Sequence, residues 1–197
     1  LLNRDGFRIV AVSDSRGGVY SSEGLDIAAL EEVKDATGRL PEGSSDGESN
    51  REPLTNDQLL TLDVDVLVPA ALEDQITREN AGDVDASYIV EVANKALTAD
   101  ADRVLRDRGV SVIPDILASA GGVTVSYFEW VQNRGGVSWR IDEVHDRLEE
   151  RMREAFRSLL ERADEGGVDF RTAANLVAIE RIAEAMEARG RSRADTV

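Results

Sequence analysis

The sequence predicts an α/β fold, a mostly parallel sheet followed by a block of helices. Three observations predict it. Short β-branched runs alternate with helical stretches over the first 114 residues. The connections between them are short, as in parallel sheets whose crossovers are helices. After Pro114 the strands stop and only helical periodicity remains.

Phe7-Arg8-Ile9-Val10-Ala11-Val12 reads as a buried strand leading into Ser13-Asp14-Ser15, with Gly17-Gly18 as a turn. Residues 25–37 read as a helix carrying Leu25, Ile27, Leu30 and Val33, with Gly38 placed to cap its C-terminus. Residues 41–53 contain no apolar side chain apart from prolines, so a surface loop is expected there. A short helix is expected over 56–62 and a second strand over 65–69. A third strand should follow over 87–92. Thr98 should cap a helix running to Arg108, with Asp100 and Asp102 in its first turn where the helix dipole favours acids. Gly109 should end that helix, and residues 110–114 form a fourth strand.

Helices are then expected near 120–133, 141–165 and 170–189. In the second, Val144, Leu148, Met152, Phe156 and Leu159/Leu160 recur every three or four residues and form one apolar stripe. His145, the only histidine, is expected to sit partly buried beside it. Two parts follow, residues 1–120 around the sheet and a helical segment over 121–197.

Composition narrows the chemistry. There is no cysteine, which excludes disulfides, thiolate metal sites and cysteine nucleophiles, and one histidine cannot make a multi-histidine metal site. No metal ligands are expected. The 39 acidic residues outnumber 23 basic ones, and the formal net charge is −16. Such a field repels nucleic acid and anionic membranes. Only Lys34 and Lys95 are lysines; every other basic residue is arginine. Acid excess with so little lysine fits a cytoplasm at molar salt, where the Debye length falls to about 3 Å and carboxylate repulsion is screened. An acidic protein from an arginine-rich, GC-biased genome is the plainer alternative. No apolar run reaches membrane-spanning length, and the first residues are not a signal peptide.

Two loops could carry chemistry. Asp14 follows a strand, where a carboxylate can accept hydrogen bonds from an adenosine ribose. Ser15 lies beside it. Asp at a strand end is also ordinary turn chemistry. The glycine-rich phosphate turn that normally lies about twenty residues earlier is not found in the thirteen residues before Asp14. The expectation is a nucleotide-binding fold entered partway through, with residues 1–6 as the last turn of its first helix. The second loop is Pro114-Asp115-Ile116-Leu117-Ala118-Ser119-Ala120-Gly121-Gly122-Val123, joining a strand end to a helix start. Small residues there let a flat ring approach the backbone.

That loop continues as Thr124-Val125-Ser126-Tyr127-Phe128-Glu129-Trp130-Val131-Gln132-Asn133, and the whole run resembles the signature of the glutamate dehydrogenases within the Glu/Leu/Phe/Val dehydrogenase family. Three further segments resemble the family in the same order. They are Ile9 to Ser15 with Gly17-Gly18-Val19-Tyr20, Asp65 to Leu72 with Gln75-Ile76-Thr77, and Arg171-Thr172-Ala173-Ala174 with Ala178-Ile179-Glu180-Arg181. The resemblance implies a Rossmann-like sheet, truncated at its N-terminal side, and a haloarchaeal-like amino-acid dehydrogenase. It implies oxidative deamination of L-glutamate to 2-oxoglutarate with NAD, NADP being possible, in a cytoplasmic homo-oligomer, the family hexamer, or in association with the substrate domain.

Position by position, the resemblance assigns Asp14 and Ser15 to the adenosine ribose. It assigns Ala70 and Ala71 to the cofactor cleft, Asn94 to the nicotinamide ribose, and Ser119 to the nicotinamide. Ser119, Gly121 and Gly122 would also lie next to substrate. The family's activating lysine and proton-shuttling aspartate belong to a preceding substrate domain, so no catalytic residue is expected in these 197 residues and the chain alone should be inactive. The sequence departs from the family at Val92, Lys95 and Ala96, where the family reads glycine, glycine and proline. It departs again at Ser119, usually asparagine, and at Asn175, usually tyrosine. These departures leave open a non-catalytic homologue or an associating subunit.

Overall fold

The computed structural model describes residues 1–41 and 51–189. These separate into two compact units, one of residues 1–64 with 83–86, the other of residues 65–82 and 87 onward.

In the first unit, residues 1–6 form a helical turn closed by Asp5 N–H on Leu1 O at 3.2 Å and ended by Gly6 at φ 91°. Strand β1 (Ala11–Asp14) turns through Ser15 and Arg16 into β2 (Gly17–Tyr20), an antiparallel hairpin to which β3 (Glu52–Leu54) adds. Helix α1 (Ile27–Thr37) is capped by Asp26, whose side chain accepts from Ala29 N–H, and ends on Gly38 at φ 72°. Helix α2 (Asn56–Leu60) starts with a capping box between Thr55 and Gln58. Val19, Leu25 and Leu30 form the core, with Ile9, Val12 and Ile27 packed on it.

This differs from expectation in two ways. The first strand is not a buried member of the parallel sheet. It starts four residues later, is only half-buried and pairs antiparallel, because a two-residue turn at Ser15-Arg16 folds the chain straight back. Phe7 is left 49% exposed. Gly17 and Gly18 lie in β2, and Gly18 is required there: a Cβ would stand 2.6 Å from Val12 O. Second, the predicted loop yields a strand at its end, since Glu52 to Leu54 pair with Tyr20 to Gly18. Residues 42–50 lie outside the described residues.

The parallel sheet has the order β4 (Val64–Leu67), β5 (Ala86–Val90), β6 (Ser111–Ile113). β5 and β6 are parallel in the register Tyr88 with Ser111 and Val90 with Ile113. Val64 N–H binds Asp85 O, and Val92 N–H binds Pro69 O just past the end of β4, so β4 runs the same way. Three strands, not four, build this sheet among the described residues. Between β5 and β6 runs α3 (Ala99–Asp107), capped by Thr98 and followed by Gly109 at φ 81°, as the sequence predicts.

The helical block begins with a turn not foreseen, α4 (Asp115–Ala118). It continues as α5 (Ala120–Gly135), α6 (Ile141–Gly166) and α7 (Phe170–Ala188). Leu117, Leu159, Ala163, Ala173 and Ala174 form its core, joined by Ile113, Met152 and Phe170. Of the predicted α6 stripe, Leu159 and Met152 join this core, Val144, Leu148 and Leu160 are half-buried, and Phe156 is 39% exposed. His145, expected to be partly buried, is exposed: it sits near the N-terminal end of α6, whereas the buried residues of that helix, Leu159 and Ala163, lie toward its C-terminal end. No helix among the described residues is long and apolar enough to cross a membrane.

Candidate functional site at the strand ends

Parallel strands point their C-terminal ends the same way, and in open α/β sheets that end holds ligands. Here the three ends carry the segments singled out by sequence. Ala70 and Ala71 follow β4 and are exposed; Asn94 follows β5 and is exposed; Ser119, Gly121 and Gly122 follow β6, with Gly122 exposed and the other two half-buried. Pro69 O accepts from both Val92 N–H at 3.1 Å and Ala93 N–H at 3.0 Å, which draws the β4 and β5 ends together.

Gly121 and Gly122 fall in the first turn of α5. A Cβ on Gly122 would meet nothing within 4 Å, so the first turn of α5 is open there. Ser119 is the hinge between α4 and α5, at φ −86° and ψ −6°. Its hydroxyl donates to Asp115 O at 2.6 Å. That proton is committed to the backbone, so toward a ligand Ser119 offers an acceptor, where an asparagine amide would also donate. The small side chains, the open glycine and the three aligned strand ends leave this edge of the sheet free of bulk.

Sequence reasoning did not single out the residue that organises these ends. Glu91, immediately after β5, is 0% exposed and is the one charged residue in the buried class among the described residues. Its Oε1 accepts from Leu97 N–H at 3.1 Å; its Oε2 accepts from Asp115 N–H at 3.2 Å and from Arg171 Nη2 at 2.6 Å. Asp115 Oδ2 in turn accepts from Lys95 N–H at 2.9 Å. Arg171 also donates twice to Asp102 Oδ1, both at 3.2 Å. Burial opposes charge on Arg171, but the hydrogen bond and charge of Glu91 and the charge of Asp102 outweigh it and raise its pKa further. An apolar strand ending in glutamate, with one arginine opening a late helix, was the available signal.

Lys95 stands at φ 52°, in the left-handed region. The position is where the family pattern has glycine, so the chain keeps the backbone shape without the residue that adopts it freely.

Asp14 and Ser15 belong to the other unit. Ser15 is exposed in the hairpin turn. Asp14 Oδ1 accepts from Arg16 N–H at 3.0 Å; Oδ2 faces Lys34 Nζ at 3.1 Å and Leu40 N–H at 3.4 Å. The Arg16 backbone bond, then Lys34, hold its pKa below the ordinary value. The carboxylate is thus ionised and partly neutralised by one of the chain's two lysines.

An open concavity lies elsewhere, at the start of β6 between Asp102, Arg106, Asp169 and Arg171. Its charges already pair, Arg106 with Asp169 at 2.7 Å and Arg171 with Asp102 at 3.2 Å, so it reads as an ion-pair seam. No acidic and histidine cluster able to hold a metal occurs among the described residues.

Comparison with known proteins matches this arrangement to one family. The family model for Glutamate/Leucine/Phenylalanine/Valine dehydrogenase matches residues 1–190. The chain is 49% identical to the NADP-specific glutamate dehydrogenase of Synechocystis over 195 residues, 96% of this chain and 45% of that protein. It is 49% identical to the NADP-specific glutamate dehydrogenase A1 of Halobacterium salinarum over 191 residues. It is 45% identical to the cryptic catabolic NAD-specific glutamate dehydrogenase of Bacillus subtilis over 185 residues. The chain thus spans less than half the length of these curated relatives. Among solved structures, the hetero-hexameric glutamate dehydrogenase of Thermus thermophilus in its Leu-bound form superposes with a TM-score of 0.86 at 38% identity, over 95% of this chain and 43% of that one. By sequence and by fold, the chain belongs to the Glutamate/Leucine/Phenylalanine/Valine dehydrogenase family.

Proposed function

We propose that this chain is the cofactor-binding part of a glutamate dehydrogenase, which converts L-glutamate and water to 2-oxoglutarate and ammonium while NAD or NADP is reduced. The observation that carries the reading is the set of small residues at the three strand ends, with Gly122 open, on a chain whose relatives are described as glutamate dehydrogenases. The nicotinamide supplies the hydride acceptor. The residues of this chain bind and orient. Ala70 and Ala71 leave the β4 end free of bulk, Asn94 offers an amide to the nicotinamide ribose, and Ser119, Gly121 and Gly122 form the wall next to the ring and substrate. The two parts first read from sequence, a sheet region over 1–120 and a helical segment over 121–197 packing on it and toward the substrate domain, describe the proposed division of labour.

At Asp14, a carboxylate suits ribose hydroxyls and repels a 2′-phosphate, while Lys34 at 3.1 Å compensates part of its charge. This supports NAD with NADP tolerated. The relatives include NADP-specific and NAD-specific enzymes.

A net charge of −16 with two lysines supports function at molar salt, as in a haloarchaeal cytoplasm. Oligomer formation is supported by exposed apolar side chains on α5 and α7, among them Val123 at 74%, Ile179 at 62% and Ile182 at 61% exposure. For these 197 residues by themselves we expect little turnover, since the lysine and aspartate that the family uses for the chemistry are not among them.

The test is glutamate-dependent reduction of NAD or NADP by the full-length protein carrying this chain, purified in molar salt. A second reading, a non-catalytic homologue, draws on Lys95 in its left-handed conformation and on the Ser119 proton bound to Asp115 O. Tight cofactor binding without glutamate-dependent reduction would favour it.

A further inference from the structure

A carboxylate taken fully out of water is strongly disfavoured unless its partners replace the lost hydration. Glu91 has such partners, and their positions are informative. A buried ion pair would need Arg171 alone. Glu91 also takes two backbone N–H groups, one from each of the two loops that carry proposed ligand-facing residues. Leu97 N–H closes residues 91–97 into a bend containing Asn94. Asp115 N–H is the first amide of α4, the turn that ends at Ser119.

The loops are tied a second time through Asp115. Its Oδ2 holds Lys95 N–H at 2.9 Å, next to Asn94, and its Oδ1 lies 3.6 Å from Arg171 Nη1. Arg171 therefore reaches three carboxylates from the first turn of α7: Glu91, Asp102 and Asp115. Only a planar fork of several donors does this; a lysine ammonium is a single point and cannot span them. The start of α7 is itself held by the Asp169 cap on Thr172 N–H at 2.9 Å.

We propose that Arg171 is a positioning residue for the dehydrogenase reaction, acting through Glu91 and Asp115 to hold the loops of Asn94 and Ser119 in one arrangement against the nicotinamide end of the cofactor. This rests on the dehydrogenase reading above. The Arg171 guanidinium is engaged by Glu91, Asp102 and Asp115, so its role is to fix the backbone from which the facing residues project. Misplacement of reacting groups by about 1 Å costs roughly a hundredfold in rate.

The experiment compares Arg171→Met and Arg171→Lys with Arg106→Met in the full-length protein carrying this chain. Arg106 is the control because it pairs with Asp102 and Asp169 in the same helical seam but touches neither loop. The readouts are kcat and KM for glutamate, and hydrogen exchange at the amides of Lys95, Leu97, Asp115 and Ile89. The expected result for both Arg171 variants is a kcat lowered about a hundredfold with KM changed less than about threefold. Exchange should rise at least about tenfold at Lys95, Leu97 and Asp115 with Ile89 unchanged, and Arg106→Met should keep its kcat. Should Arg171→Met fail to fold, Arg171→Lys retains the charge and decides alone. The inference is overturned if the Arg171 variants keep wild-type kcat, if exchange rises equally at Ile89, or if Arg106→Met loses as much rate. A wild-type protein that reduces neither cofactor with glutamate overturns the dehydrogenase reading and this inference together.

Discussion

Arg171 Nη2 lies 2.6 Å from Glu91 Oε2, so the first turn of the last helix is fastened to the end of the central strand of the parallel sheet. The two residues are 80 positions apart in the chain. Glu91 has no access to water and Arg171 retains 28% of its side-chain exposure. Removing one partner of such a pair leaves a buried charge uncompensated. Arg171→Leu is expected to destabilise the protein by about 3–5 kcal/mol, and the double variant Glu91→Gln, Arg171→Met by clearly less, because the stranded charge is gone. Chemical denaturation of both variants in molar salt measures the difference.

Lys95 occupies a left-handed backbone conformation at φ 52°. Its N–H is held by Asp115 and its carbonyl accepts from Asp74 N–H at 2.8 Å, so the surroundings impose the conformation. Lys95→Gly should therefore stabilise the fold by about 1 kcal/mol. A lower denaturation midpoint in the glycine variant would show that the lysine side chain contributes more than the strain costs.

Two glycines should respond in opposite ways. Gly18→Ala forces a Cβ to within 2.6 Å of Val12 O and 2.9 Å of Ser13 Cβ across the hairpin, so β1 and β2 must separate, at a cost of about 1–3 kcal/mol. Gly122→Ala meets nothing within 4 Å in the first turn of α5. It should leave stability unchanged or raise it by about 0.5–1 kcal/mol, while lowering turnover by filling the proposed cofactor wall. Thermal unfolding separates the first pair of outcomes, and kinetics reads the second.

Asp14 gives a pH dependence of known sign. Its pKa is depressed in the fold, first by the Arg16 N–H and then by Lys34. A carboxylate with a lowered folded pKa contributes stability above its unfolded value near 3.9, and loses it as pH falls through the folded value. Asp169 behaves alike: burial opposes its charge, but the Thr172 and Arg106 contacts prevail. Asp14→Asn should lower stability at neutral pH and flatten the acid side of the stability curve below about pH 4. A variant with the same acid slope as wild type would show that Asp14 is not a source of that slope.

Much of the helical structure was legible because amphipathic spacing, N-caps and positive-φ glycines are local signals. Thr98, Asp100 and Gly109 announced α3, and the Val144 to Leu159 stripe announced α6. The first strand was misread because hydrophobicity marks burial but not partner. Whether Ala11 to Asp14 joins a parallel sheet or folds back depends on a two-residue turn and on how close Gly18 comes to Val12. His145 was expected to be partly buried because it lies beside the stripe, but helical periodicity does not tell which end of a long helix is covered, and the buried residues of α6 are Leu159 and Ala163 toward its other end. The strand-end loops were found because small residues and glycines cluster there. The Glu91–Arg171 link was not, because a contact across 80 residues leaves no local periodicity, and a buried glutamate looks in sequence like a solvated one.

The most direct measurement is the reduction of NAD and of NADP by the full-length protein carrying this chain, in molar salt, with and without L-glutamate, followed by the absorbance of the reduced nicotinamide. The account predicts reduction that requires glutamate, yields 2-oxoglutarate and falls sharply in Gly122→Ala and Arg171→Met. Absence of glutamate-dependent reduction with either cofactor, in protein shown to be folded, would contradict it.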